Sequence, residues 1–478
     1  MELLLSVSKD RPGTLRAQIE EQLRAAIRDG SLRAGTAVPS TRDLAGQLGV
    51  SRKVAVDAYA QLAAEGYLAM RQGAQPRVAE GPFRPAGSDV PAAPRPAAIR
   101  FDLRPSRPDV SSFPREAWAR CLRDAVIEIS VEDLGYGDAF GVDALREGLA
   151  EYLGRVRGVV AGPDRIVVTN GYLQGLGLLC RTLATRGARR IALEDPSSWE
   201  EDHLAERNGL EPVRVPVDDR GIDVAALART GADAVVLTPA HQHPTGVVLA
   251  PERRAALVAW LRERGAIAIE DDYDAEYRYD RPAVGVLQGL DHDHVVYAGT
   301  VSKVLAPALR LGWLVVPRSL VPAVRHERLL ADMGTARIEQ LAFARFLARG
   351  DLDRHLRRMR IRYRARRDAM VAALAAELPE AAVTGIAAGL HVTVALPPDD
   401  DAEAIRRAAA ARGLALSTMA DYIGPGGGGS YPPTLILGYS QLTEARIRGA
   451  VGELAAVIRA ARRGVLRLPD ARVQPPRD

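Results

Sequence analysis

The stretch from residue 80 to residue 100 constrains this chain most: it holds five prolines, is rich in alanine, and shows neither helical nor strand periodicity. Such a composition makes a semi-extended connector. It therefore divides the 478 residues into about 80 and about 380 that must build separate cores. Length agrees, because single cores stop growing near 250–300 residues. No internal repeat is present. A hydrophobic content of 47% with 26% charged residues describes an ordinary soluble globular protein.

Several function classes are set aside early. No run of 18 apolar residues occurs, so no membrane span and no membrane partner are expected. Glu2 and the short apolar run after it do not make a secretory leader. Cys121 and Cys180 form no C-x-x-C pair, so neither a disulfide framework nor a metal site is expected, and a cytoplasmic location follows. The net charge of +4 does not by itself identify a nucleic-acid partner, and residues 1–80 carry eleven Lys/Arg against nine Asp/Glu. Among 64 basic residues only Lys9, Lys53 and Lys303 are lysines. Only an amine can form a Schiff base, so a lysine kept against that arginine bias draws attention.

In the first segment Leu15, Ile19, Leu23, Ala26 and Ile27 recur at helical spacing, and Gly30 ends that helix. Ser40 or Thr41 caps a short second helix, Gly49-Val50 turns the chain, and Ser51 caps a third. Tyr67–Val78 alternates around Gly73 as a small hairpin. Three helices and a hairpin in that order predict a winged helix-turn-helix. Residues 38–68 resemble the GntR-type DNA-binding head over their whole length. The resemblance implies double-stranded DNA as partner, with Ser51, Arg52 and Lys53 on the first turn of the recognition helix. Ser40, Thr41 and Arg42 would meet the backbone from the preceding helix, and Arg71 and Gln72 would open the wing. Ala74-Gln75-Pro76 follows Gly73 where that family usually has Gly-Thr.

The second segment alternates strand-like runs with helical ones. The runs are Arg165–Thr169, Arg190–Leu193, Ala234–Thr238, Ala266–Ile269 and Val295–Ala298. That predicts an α/β fold with a mostly parallel sheet, which binds ligands at the carboxyl ends of its strands. A smaller α/β lobe is expected over Val383–Leu396, Ala402–Arg412 and Leu435–Tyr439, closed by a last helix, Glu444–Arg462.

Gly299-Thr-Val-Ser-Lys-Val-Leu-Ala-Pro-Ala-Leu-Arg-Leu-Gly312 resembles the lysine motif of fold-type I pyridoxal phosphate enzymes. The resemblance implies pyridoxal 5'-phosphate as cofactor and Lys303 as its Schiff-base residue. Thr300, Ser302 and Arg310 would hold the phosphate. Upstream, Ala266-Ile-Ala-Ile-Glu-Asp-Asp-Tyr-Asp274 ends a strand in acids. Asp271, with Asp272 as the alternative, would pair with the pyridine nitrogen, and Tyr273 would bond the ring's phenolic oxygen. The amides after Gly171, at Tyr172 and Leu173, would cup the phosphate at a helix start. His243 stands before Pro-Thr-Gly where enzymes of this fold usually have Asn, and would face the ring oxygen. Tyr136, in Tyr136-Gly-Asp-Ala-Phe-Gly141, would reach the phosphate of a partner subunit, so a homodimer is expected.

Taken in order, these motifs resemble the MocR/GabR-type regulators. The implied architecture is a fold-type I transferase-like body with a winged helix-turn-helix in front of it. The divisions are residues 1–79 for the head, 80–100 for the linker and 101–478 for the body. Within the body the large lobe spans about 101–370 and the small lobe about 371–465. Departures from an active transaminase are equally legible. Aligned on Gly438-Tyr-Ser440, the position of the arginine that clamps a substrate carboxylate holds Ile436. Ser198 stands where a ring-stacking aromatic is usual, with Trp199 one place later, and Ser106 stands where glycine is usual. The ring-anchoring set is kept while the substrate-selecting set is eroded. This favours a regulator that senses the cofactor itself, an amine or an amino acid. The alternative is a working aminotransferase with a vestigial head.

Overall fold

The structure, a computed structural model, describes residues 5–71, 74–80, 99–274, 276–279, 284–424 and 431–463. Gln72 and most of the 80–100 segment lie outside the described residues. Two units divide the chain, Met1–Pro96 and Ala97–Asp478.

In the first unit, helices α1 (Leu15–Arg28), α2 (Thr41–Leu48) and α3 (Arg52–Ala64) precede the strands β1 (Leu68–Ala69) and β2 (Arg77–Val78). Ser40 rather than Thr41 caps α2: its hydroxyl accepts the Asp43 amide at 3.2 Å. Gly49, at φ +63°, ends α2 in the left-handed conformation and swings the chain into α3. Ile19, Leu23, Leu44, Tyr59 and Leu62 are fully buried between the helices. Tyr59 donates its hydroxyl to the Pro39 carbonyl at 3.0 Å, so the deepest aromatic leaves no polar atom unpaired. β1 and β2 pair antiparallel, Leu68 opposite Val78.

The second unit begins with β3 (Phe101–Asp102), α4 (Arg115–Glu128), α5 (Asp143–Arg157), β4 (Ile166–Thr169), α6 (Tyr172–Thr185), β5 (Arg190–Asp195) and α7 (Trp199–Arg207). It continues through β6 (Glu211–Asp218), β7 (Gly221–Ile222), α8 (Val224–Arg229), β8 (Ala234–Leu237), α9 (Pro251–Arg264), β9 (Ile267–Asp271) and β10 (Val295–Thr300). After β11 (Gly312–Val315) come α10 (Val321–Asp332), α11 (Arg337–Ala348) and the long α12 (Asp351–Glu377). The small lobe holds β12 (Ala382–Thr384), β13 (His391–Ala395), α13 (Ala402–Ala411), β14 (Leu414–Ala415), β15 (Ser417–Thr418), β16 (Thr434–Gly438) and α14 (Glu444–Arg462).

Eight strands form the large sheet in the order β4-β11-β10-β9-β8-β5-β6-β7. β11 and the short β7 run antiparallel to their neighbours, and the other six run parallel. All five strands expected from sequence are present. Sequence periodicity does not mark β6 or β11: β6 is interrupted by Pro212 and Pro216 and is largely solvent-facing, and β11 spans only four residues. Strand period explains the layering. Ile191, Leu193, Ile267 and Ile269 face α6 and α10, whereas Ala192 and Ala268 face α8 and α9. β3 pairs with β14 of the small lobe, and Phe101 packs into the core closed by α14.

One buried ion pair ties the sheet to α5. Arg157 donates to both oxygens of Asp272 at 2.7 and 3.0 Å, with side chains 0% and 1% exposed. The Tyr297 hydroxyl of β10 donates to the same carboxylate at 2.8 Å. Removing one partner strands a desolvated charge, whereas removing both does not. Asp272→Ala is therefore expected to cost about 3–5 kcal/mol in denaturant unfolding. The pair Arg157→Met with Asp272→Leu should cost less than Asp272→Ala alone, and a larger cost for the double variant would contradict this account.

Candidate functional site

The carboxyl ends of β4, β5, β8, β9 and β10 point the same way, and the loops that leave them carry the motif residues. At the end of β9 two adjacent acids meet different fates. Asp272 is saturated by Arg157 and Tyr297, while Asp271 Oδ1 is buried with no partner. Burial, reinforced by Glu201 and Asp272, pushes the Asp271 carboxyl well above the usual carboxylate range. A cation or N–H group placed there would satisfy it.

Lys303 follows β10, beside Asp271 in charge terms. Among the described residues its amine has no hydrogen bond or ion pair, and burial pulls it below the ordinary lysine range against the opposing pull of Asp271 and Asp274. A lysine amine that gives up its proton more easily is the kind that can add to a carbonyl.

Thr300, Ser302, Gly171 and Arg310 come together beside it. Thr300 donates to Ser302 Oγ at 2.9 Å and accepts the Ser302 amide at 3.1 Å. Arg310, left-handed at φ +49°, donates to the Asn170 carbonyl at 2.6 Å. Gly171, at φ +90°, opens α6, and a Cβ there would lie 2.9 Å from the Arg310 guanidinium. Gly312 packs as tightly from below, since its Cβ would lie 2.9 Å from the Gly171 Cα. Hydroxyls, helix amides and a guanidinium around a floor without side chains suit a phosphate group. Leu173 lies on the exposed side of this cradle, and Tyr172 turns inward to donate to Glu201 at 2.9 Å.

The ring side is built from the 241–246 turn and the small lobe. The Tyr273 hydroxyl lies 3.1 Å from His241 Nδ1, which also faces both Asp274 oxygens at 3.2 Å. The Asp274 carboxylate fixes the proton on Nδ1, so the Tyr273 oxygen accepts and its own O–H remains free to donate. His243 packs edge-on against Tyr273 at 5.6 Å and Tyr422 at 5.0 Å. Its Nδ1 is buried without a partner, and burial holds the ring neutral. Trp199 is 37% exposed and lies edge-on to His203, not buried over the site. Ser106 takes φ +59°, a glycine-like conformation carried by a residue with a Cβ. Ile436 is fully buried.

Tyr136 is 80% exposed at the rim of an open cavity shared with Asp332, Met333 and Arg337. Asp332 accepts from Asn170 at 3.4 Å and from Gln174 at 2.5 Å, which links that rim to the phosphate cradle. Sequence reasoning missed His241, Asp274, Arg157 and His391. The last had a signal: a polar residue inside the apolar run Leu390-His-Val-Thr-Val-Ala-Leu396.

In the first unit Arg42, Ser51, Arg52, Lys53 and Arg71 are exposed, and Ser40 and Thr41 are half-buried. Ser51 corrects one expectation: it occupies the position before α3 but its hydroxyl makes no capping hydrogen bond. The Val54 amide is taken up by the Ser51 carbonyl at 3.0 Å, which leaves the Arg52 and Lys53 amides at the helix start, where an anion is favoured. Among the described residues no helix is long and apolar enough to cross a membrane, and no metal-holding cluster occurs.

Comparison with known proteins agrees with this geometry. Residues 15–78 match the bacterial regulatory proteins of the gntR family, and residues 108–426 match aminotransferase class I and II. The chain is 30% identical to the HTH-type pyridoxine biosynthesis transcriptional regulator PdxR of Corynebacterium glutamicum, covering 96% of this chain and 99% of that one. It is 32% identical to the "Probable rhizopine catabolism regulatory protein MocR" of Rhizobium meliloti, over 87% and 88% of the two chains. An α-aminoadipate aminotransferase of Thermus thermophilus, solved with N-(5'-phosphopyridoxyl)-L-leucine, superposes with a TM-score of 0.68 at 26% identity, covering 77% of this chain and 94% of that one. The cofactor of such a body is pyridoxal 5'-phosphate, and the orphaned Asp271 oxygen, the glycine-floored cradle and the desolvated Lys303 fit it.

Burial holds His355 and His391 at about 4, below the ordinary imidazole value of about 6.5. Between those values the unfolded chain binds protons that the folded chain refuses. Their contribution is therefore complete above about pH 6.5 and is lost as pH falls toward 4. Thermal melting across that window should show declining stability, with a shallower slope in His355→Gln and His391→Asn. An unchanged slope in both variants would count against neutral burial.

Proposed function

The chain belongs to the family in which a gntR-type DNA-binding head is joined to an aminotransferase class I and II body, and from that premise we propose a MocR-type transcription regulator whose body is an effector sensor and dimerisation domain. The division is residues 1–79 for the head, 80–100 for the linker and 101–478 for the body, with lobes of about 101–370 and 371–465. The proposed location is the cytoplasm.

The observation that carries this reading is the pairing of a complete cofactor-holding set with a missing carboxylate clamp at Ile436. Pyridoxal 5'-phosphate, when bound, supplies an electron-accepting ring and a carbonyl that reacts with amines. Lys303 would be its covalent attachment point. Asp271 would hold a proton on the ring nitrogen, Tyr273 and His243 would face the ring oxygen, and Thr300, Ser302, Arg310 and the amides of Tyr172 and Leu173 would hold the phosphate. An α-amino acid substrate would meet an aliphatic side chain where a guanidinium is needed. That substitution removes a charge-assisted pair worth roughly 2–5 kcal/mol.

Tyr136 and the exposed apolar side chains Val131, Leu134 and Leu330 support a homodimer that would cover the open phosphate side. Ser51, Arg52, Lys53, Ser40, Thr41, Arg42 and Arg71 form the DNA face, and Gln72, outside the described residues, is proposed as a DNA contact on sequence grounds. An effector shifts the regulator only if it binds the two arrangements of the dimer unequally. The cofactor itself and amine compounds are the proposed effectors.

Two outcomes are expected. Lys303→Ala should lose the visible absorbance of the cofactor-loaded protein, and with it any effect of cofactor on affinity for the intergenic DNA beside its gene. A retained band would refute the attachment. In gel-shift titrations, Arg52→Ala with Lys53→Ala should weaken DNA binding tenfold or more. The salt slope should flatten by about one unit for each phosphate no longer neutralised. Unchanged affinity would leave the working-aminotransferase reading, which rapid single turnover with amino acids would then support.

A further inference from the structure

Building on the reading that pyridoxal 5'-phosphate is held at Lys303, we propose that His391, Thr393 and Ile436 form a rebuilt recognition wall, faced by His243, that receives a neutral hydrogen-bond donor. The effector is then a primary amine that carries a hydroxyl or similar group and no carboxylate.

The register of β13 on β16 sets the wall. His391 lies opposite Gly438, Thr393 opposite Ile436, and Ala395 opposite Thr434. Residues paired across an antiparallel ladder share a face. His391, Thr393 and Ile436 therefore share one face, while Leu435 and Leu437 point into the core on the other. That face is turned toward the ring-flanking turn: the Thr393 hydroxyl donates to the Pro244 carbonyl at 2.8 Å, and His391 Nε2 lies 3.1 Å from the same oxygen. The His391 ring sits 5.4 Å from that of His243 and 5.5 Å from that of His241.

The hydrogen-bond inventory then specifies the ligand. Nε2 of His391 must carry the proton to meet a carbonyl oxygen, so Nδ1 is an acceptor. The residue is 3% exposed and Nδ1 has no partner. A buried acceptor of this kind is satisfied by an incoming O–H or N–H group and repels a carboxylate, which has only acceptors to offer. Burial keeps both His391 and His243 uncharged, so neither replaces the missing guanidinium. Arg107 acts electrostatically on Lys303. It lies on the rim, 39% exposed, 3.7 Å from an Asp102 carboxylate that Arg104 already engages at 2.7 Å.

Calorimetric titration of the cofactor-loaded full chain with ethanolamine, glycine and propylamine tests the wall, because the three differ only in the group that would face it. Ethanolamine is expected to bind at least tenfold more tightly than glycine and fivefold more tightly than propylamine. His391→Phe should erase the margin over propylamine, and Ile436→Arg should turn the preference toward glycine by tenfold or more. If the buried arginine prevents folding, the His391→Phe comparison decides alone. Glycine binding as tightly as ethanolamine overturns the proposal, and its loss in Arg107→Ala would identify Arg107 as an anion receptor instead. Equal affinities for all three amines, or binding of none, also overturn it. A protein with no visible cofactor band fails at the parent reading, and this inference falls with it.

Discussion

The Arg157–Asp272 pair is the constraint from which the rest of the body takes its geometry. It fastens α5 to the end of β9, and Tyr297 adds β10 to the same carboxylate. The strand ends that carry Asp271 and Lys303 are thereby held at fixed separation. Because Asp272 is fully occupied, the neighbouring Asp271 is the acid left without a partner in a desolvated position. A carboxyl in that state is expensive unless something cationic or protonated is placed against it. That unpaired oxygen is what the ring nitrogen of the cofactor is proposed to satisfy.

Much of this is legible in the sequence. Five buried strands followed by polar clusters are a strong pattern, because both faces of a parallel sheet are covered and each strand reads as an apolar run. The lysine motif stands out because the chain is nearly devoid of lysine. The choice between Asp271 and Asp272 is not legible, since it depends on Arg157, more than a hundred residues away. The recognition wall is hidden for a similar reason: His391, Thr393 and Ile436 meet only through strand register, and Thr393 and Ile436 look ordinary in sequence. β6 escapes notice because its prolines and exposed face break the alternation that marks a strand. Ser51 looks like a cap because serine there usually is one, yet its hydroxyl makes no such bond.

The proposed reading is of a body that keeps what holds a cofactor and has altered what selects a substrate. Ile436 is fully buried, Ser106 bears the backbone conformation of a glycine, and Trp199 is partly exposed. On the proposed reading these changes would cost reaction chemistry and spare cofactor binding, which is the balance a sensor needs. In the head, a helix start flanked by two adjacent cations is the feature proposed to give affinity for phosphates without depending on net charge.

The proposed sensor role stands or falls with the identity of one amine. Borohydride reduction of the cofactor-loaded protein, followed by peptide mass mapping, addresses it directly. A single phosphopyridoxyl adduct on the peptide containing Lys303, with Lys9 and Lys53 unmodified, is the predicted result. An adduct on either of those lysines, or an unmodified Lys303 peptide, would contradict it.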